Sequence, residues 1–119
     1  MNITILKSKI HNATVTQSDF EYEGSISIDE GLMYLANIYE YEKVLVVNFN
    51  NGNRYETYVI KAPEGSGTIA VNGAGARYSL VGDKILIMSF RNIDVDEYES
   101  FKPTILKLNN KNNVIKSRQ

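Results

Sequence analysis

The sequence contains no cysteine and no tryptophan, and its only histidine is His11. Without thiols, disulfides, thiolate nucleophiles, cysteine zinc sites and cysteine-held iron–sulfur clusters are excluded together. One histidine cannot build a metal site, so no metal is expected. Nowhere do about eighteen apolar residues run together, which argues against a membrane-spanning helix. The opening Met1–Lys7 lacks the apolar core of a signal peptide. A net charge of −1, with both signs interspersed, makes no long-range field that would gather nucleic acid or an anionic membrane. A cytoplasmic protein with neither of those partners is the default expectation.

What is present reads as mainly β. At 119 residues the chain is a single domain, able to bury roughly two-thirds of its unfolded surface. Short β-branched runs bounded by Gly, Asn or Pro predict strands at Met1–Leu6, Ala13–Thr16, Ser25–Ile28, Val44–Phe49, Tyr55–Ile60, Ile69–Val71, Lys84–Phe90 and Thr104–Leu108. Strands this short and this numerous suit a closed barrel. One helix is predicted after Asp29, whose carboxylate can cap free amides, with Leu32, Leu35 and Ala36 on one face and Asn37 as the stop. Asn51-Gly52 accepts the backbone angles of a tight hairpin and predicts an antiparallel pair around it. Lys43–Phe49 echoes Lys84–Phe90, which fits either two related halves or simply two buried strands. The tail after Leu108, rich in Asn and Lys, is expected to fray, leaving Lys107, Lys111, Lys116 and Arg118 solvated.

Gly24-Ser25 is the first candidate for chemistry. Taken alone, such a pair is usually a loop, and the chain has a second, Gly65-Ser66. A self-processing site needs a serine hydroxyl able to reach the preceding carbonyl, and glycine helps because it lacks a Cβ and tolerates strained angles.

The surroundings of that pair carry a resemblance. Lys9-Ile10-His11, Val15-Thr16, Asp19, Tyr22-Glu23-Gly24-Ser25 and Ile28-Asp29 stand in register with the amino-terminal third of the pyruvoyl-dependent aspartate 1-decarboxylases. Asn51-Gly52 with Arg54, Thr57-Tyr58, Gly65-Ser66, the run from Val71 to Ala76, Val81-Gly82-Asp83 and Ser89-Phe90 continue it. The chain resembles that family over about residues 1–108.

The resemblance implies a six-stranded double-psi β-barrel with short helices and additional short strands, assembled as a homotetramer with active sites near subunit interfaces. It implies autocatalytic cleavage into residues 1–24 (the β chain) and 25–119 (the α chain). Ser25 attacks the Gly24 carbonyl to give an ester, which eliminates to dehydroalanine and hydrolyses to a covalent pyruvoyl group. That ketone would form a Schiff base with L-aspartate and act as an electron sink while CO2 leaves. The product would be β-alanine, feeding pantothenate and thus coenzyme A synthesis. A maturation factor that assists the cut is a further partner the chain could have.

The same resemblance assigns roles. Arg54 would hold a substrate carboxylate with the two parallel bonds of a guanidinium. Tyr58, four positions on and on the same strand face, would reprotonate the α-carbon, since phenols keep their proton at neutral pH. Thr57 would support the oxyanion of the acyl shift and contact substrate, although strict alternation turns it to the opposite face from Tyr58. Gly73, Ala74 and Gly75 would let substrate approach backbone amides, and Asn72 would polarise the cleavage carbonyl. Lys9 would pair either with a substrate carboxylate or with the new carboxylate on Gly24. His11 and Tyr22 would line the same pocket. Val47 stands where many members have tryptophan, and Ile26 where small or sulfur-containing residues are common, so pocket shape should differ. The alternative is a non-catalytic, unprocessed barrel that keeps the fold and binds a ligand or partner.

Overall fold

The computed structural model describes residues 1–19 and 24–118. It is mainly β, with nine strands: β1 (Asn2–Thr14), β2 (Gln17–Asp19), β3 (Ser25–Asp29), β4 (Lys43–Asn48), β5 (Arg54–Ala62), β6 (Ile69–Asn72), β7 (Lys84–Asp94), β8 (Thr104–Leu108) and β9 (Val114–Arg118). One α-helix, α1 (Glu30–Ala36), and two 3₁₀ turns, Gly73–Arg77 and Val95–Ser100, complete the elements. Neighbouring strands run in the order β2, β6, β3, β5, β4, β7, β1, β8, β9. Three of the eight pairings are parallel, β2 with β6, β3 with β5 and β1 with β8. Among the described residues no helix is long and apolar enough to cross a membrane.

The strands alternate as their sequences dictate. Ile26 and Ile28 of β3, Val59 of β5 and Ile69 and Val71 of β6 point inward and are fully buried. Ile10, Ile85, Ile87 and Leu106 close the core from the other end of the sheet. Each such side chain contributes roughly 1.5–3 kcal/mol relative to exposure.

Several expectations are revised. Met1–Leu6 and Ala13–Thr16 are not separate strands: one strand runs through Lys7, Lys9 and His11, because these polar residues alternate with buried Ser8 and Ile10. The tail after Leu108 does not fray over its described residues, 109–118. Asn112, buried and at φ 60°, donates to the Thr14 and Gly67 carbonyls at 2.9 and 2.8 Å and accepts from Thr14 N at 2.7 Å. That clasp turns the chain back so that β9 pairs with β8. In α1, Met33 rather than Leu35 joins Leu32 and Ala36 in the core, and Leu35 is left half exposed.

The cap was legible: Asp29 accepts from Gly31 N at 2.8 Å, and Asn37 ends α1 in the left-handed conformation. Asp29 also accepts from Gly65 N and Gly67 N at 3.1 and 2.8 Å, so one buried carboxylate holds both the helix start and the loop after β5. The antiparallel pair around Asn51-Gly52 is present, closed by Gly52 N to Asn48 O at 2.8 Å and Asn48 N to Asn53 O at 2.9 Å. The two echoing runs, β4 and β7, pair with each other in the middle of the sheet.

Candidate active site

Strand register brings the candidate nucleophile and its neighbours together. Ser25 opens β3, and antiparallel pairing sets it opposite Asn72 and sets Ser27 opposite Ala70. Parallel pairing sets Ile26 beside Val59 and Ser27 beside Ile60. Since alternate residues share a face, Ser25, Ser27, Tyr58, Ile60, Ala70 and Asn72 point to the same side, away from the core. They line an open pocket of about 790 Å³, together with Gln17, Lys61, Ala62, Pro63 and Thr68.

Ser25 is 7% exposed, so its hydroxyl is largely withdrawn from bulk water. Asn72 Nδ2 donates to Ser25 Oγ at 3.1 Å and to Ser27 Oγ at 3.2 Å. Asn72 occupies the position ahead of the 3₁₀ turn yet makes no side-chain cap there, so both of its amide protons serve the two serines. Gly24 lies on the surface, and a Cβ built on it would meet nothing within 4 Å. Among the described residues, packing therefore does not demand glycine at 24.

The 3₁₀ turn beside Asn72 is held from below by aromatic packing. Gly73 has φ 70°, a conformation L side chains resist. A Cβ on Gly75 would stand 2.8 Å from Tyr55 Cε2, so the turn lies directly on that ring. Tyr55 stacks on Tyr78 with centroids 5.4 Å apart, and its hydroxyl is 3.1 Å from Ser79 Oγ. Burial pushes the Tyr55 phenol up from its ordinary pKa, against a smaller lowering from the Ser79 bond. Asn48 Nδ2 donates to Tyr78 O at 2.7 Å and to Asp83 Oδ2 at 2.8 Å, tying the β4–β5 hairpin to the same loop.

The remaining candidates fall elsewhere in the chain. Arg54 and Tyr58 share the outer face of β5, four residues apart, or about 13 Å along the strand. Arg54 does not line the Ser25 pocket. Thr57 lies on the opposite face, paired with Val44, and no bulge in either ladder of β5 returns it to the Tyr58 side. Lys9 and His11 line a second, cationic cavity, where the His11 ring meets Phe49 edge-on at 5.6 Å. Partial burial first, then the charges of Lys9 and Lys107, lower the His11 pKa from its ordinary value. Tyr22 lies outside the described residues. Val47 is nearly buried on β4, opposite Arg54, and Ile26 is wholly in the core.

Sequence reasoning did not single out Ser27, Gln17, Lys61 or Thr68 for this pocket. Ser27 was within reach, since it stands two residues from Ser25 on the same strand. Lys61 was not: it is out of phase with Tyr58 on β5, and it lines the pocket while reaching Glu30 at 3.5 Å and Glu40 at 4.0 Å. No cluster of ligands suited to a metal ion occurs among the described residues.

A model of the aspartate decarboxylase family matches residues 1–115. The aspartate 1-decarboxylase of Clostridium botulinum (strain Loch Maree / Type A3) is 56% identical over 116 residues, 98% of this chain and 91% of that protein. That of Caldicellulosiruptor bescii is 55% identical with the same coverage. That of Prosthecochloris aestuarii is 54% identical over 113 residues, 95% of this chain and 88% of the relative.

Proposed function

The chain belongs to the aspartate decarboxylase family and is an enzyme of aspartate decarboxylation; from that premise we propose that it cuts itself between Gly24 and Ser25 and works through a pyruvoyl group formed at position 25. The observation that carries this is the Ser25 hydroxyl, shielded, held by Asn72 and opening onto the pocket that Tyr58 also lines.

In the cut, Ser25 Oγ attacks the Gly24 carbonyl carbon, the peptide C–N bond breaks, and an ester replaces the amide. Loss of the Ser25 α-proton then expels the Gly24 carboxylate, and water releases ammonia to leave a ketone. Asn72 fixes Oγ at the start of β3 and, by turning its amide toward the Gly24 carbonyl oxygen, polarises that carbonyl during the attack. Thr57 and His11 complete the processing set in this proposal, together with Tyr22.

The pocket fits such a group, because position 25 opens a strand, lines the pocket and has the Asn72 amide beside it. The pyruvoyl ketone, when formed, supplies the electron sink for loss of the α-carboxylate. The chain's own residues do the rest. Tyr58 delivers a proton to the α-carbon from the pocket wall. Gly73, Ala74 and Gly75 present backbone to the substrate, with the turn's height set by Tyr55. Arg54 and Lys9 supply carboxylate-binding charge, and the length of β5 that separates Arg54 from Tyr58 and the Ser25 pocket fits a site completed by a neighbouring copy.

The double-psi barrel, the homotetramer, the cytoplasmic location and the supply of β-alanine to pantothenate belong to the same proposal. Assembly is supported by the outward large side chains Tyr34, Tyr39, Tyr41, Leu80, Val81 and Tyr98, all well exposed on one chain.

The test is product formation from L-aspartate by wild type and Ser25→Ala, with L-glutamate alongside. Wild type should yield β-alanine and CO2 from aspartate, little from glutamate, and Ser25→Ala nothing. Turnover by Ser25→Ala would refute the role of residue 25.

A further inference from the structure

The β8–β9 hairpin lays a grid of positive side chains against β1. Parallel pairing of β1 with β8 sets His11 beside Lys107 and Lys9 beside Ile105. Antiparallel pairing of β8 with β9 sets Lys107 opposite Lys116 and Ile105 opposite Arg118. Two cross-strand rows result, one of Lys116, Lys107 and His11, the other of Arg118, Ile105 and Lys9. Adjacent strands are about 4.8 Å apart, and the rows are about 6–7 Å apart. These six residues line a cavity of about 260 Å³ with no acidic side chain among them.

Three cations elsewhere are paired with carboxylates. Lys7 pairs with Glu42, Lys43 with Glu56, and Lys61 with Glu30 and Glu40. Lys9, Lys107, Lys116 and Arg118 form no ion pair among the described residues. Like charges directly opposite in a sheet destabilise it, and the Lys107 and Lys116 pair is such a case. The concentration is local, because the chain as a whole carries −1.

We infer that this cavity is a binding site for a small anion carrying two or more linked phosphoryl groups. The planar guanidinium of Arg118 gripping one phosphoryl group bidentately, with the ammonium groups of Lys116 on the same strand and Lys107 on the next for the second, matches the spacing of the grid. Ile105 forms an apolar floor with no competing acceptor. An amino acid is the poorer occupant, since it brings its own ammonium into a field already positive. Three strands, β5, β4 and β7, stand between this cavity's β1 and the β3 that carries Ser25. Lys107, Lys116 and Arg118 have no part in the proposed reaction, whereas His11 belongs also to the proposed processing set and Lys9 to the substrate-binding one, so such an anion and aspartate would compete for Lys9.

His11 is the only histidine in the chain, so its imidazole proton resonances give an unambiguous reporter in the full-length, assembled protein. Pyrophosphate, at ionic strength matched with sodium chloride, should raise the His11 titration midpoint saturably, with half-effect below about 1 mM. Lys116→Gln/Arg118→Gln should weaken that response at least tenfold while leaving β-alanine formation intact. A shift no larger than the chloride control gives, an equal response in the double variant, or an equal response to aspartate would each overturn the site. Loss of decarboxylation in wild type would instead strike the proposed reaction and leave this binding result standing.

Discussion

Asn72 donates from Nδ2 to Ser25 Oγ at 3.1 Å, across a β3–β6 pairing that joins residues far apart in the chain. The same nitrogen reaches Ser27 Oγ at 3.2 Å, so Ser27 shares the group that orients the nucleophile. Asn72→Ala should slow the self-cut about tenfold or more, the equivalent of one net hydrogen bond of about 1.4 kcal/mol. Ser27→Ala should leave the cut at or above its normal rate. A time course of chain cleavage on a denaturing gel measures both, and an unchanged rate in Asn72→Ala would remove its orienting role.

Tyr58 lines the Ser25 pocket from β5. Tyr58→Phe keeps the ring and removes only the hydroxyl, so the chain should still be cut. Its kcat should fall by roughly 10²–10⁴-fold, the usual contribution of a positioned proton donor, with KM little changed. A normal kcat in fully cut material would assign the proton to another group.

Gly75 has no room for a side chain, because its Cβ would lie 2.8 Å from a Tyr55 ring that Tyr78 and Ser79 hold in place. Gly75→Ala should cost about 1–3 kcal/mol, read as a fall in Tm of roughly 4 °C per kcal/mol. The same substitution made in a Tyr55→Leu background should cost clearly less. Equal penalties in the two backgrounds would show that the ring is not the obstacle.

Local pattern made much of this architecture legible. Strands such as Ser25–Ile28 and Val44–Phe49 declared themselves through β-branched runs, and Asp29 declared the helix start. The outer strands were less readable. Lys7, Lys9 and His11 interrupt the apolar signal of β1 because its outer face is cationic, and β9 hides in an Asn- and Lys-rich tail whose turn depends on Asn112 reaching back to Thr14 and Gly67. The site divides the same way. Ser25 and Tyr58 could be named from motif resemblance, but their shared pocket depends on parallel pairing of β3 with β5, which no local pattern encodes. Lys61 enters that pocket out of phase with its strand and left no signal in the sequence.

The proposed enzyme stands or falls on whether the bond between residues 24 and 25 survives. Intact-mass measurement of fully matured, denatured protein decides this. The expected result is two species, residues 1–24 ending in a free carboxylate and residues 25–119 beginning with a pyruvoyl group, the latter lighter than a serine-started fragment because a ketone has replaced the amine. A single uncut chain of 119 residues in material that turns over aspartate would contradict the account.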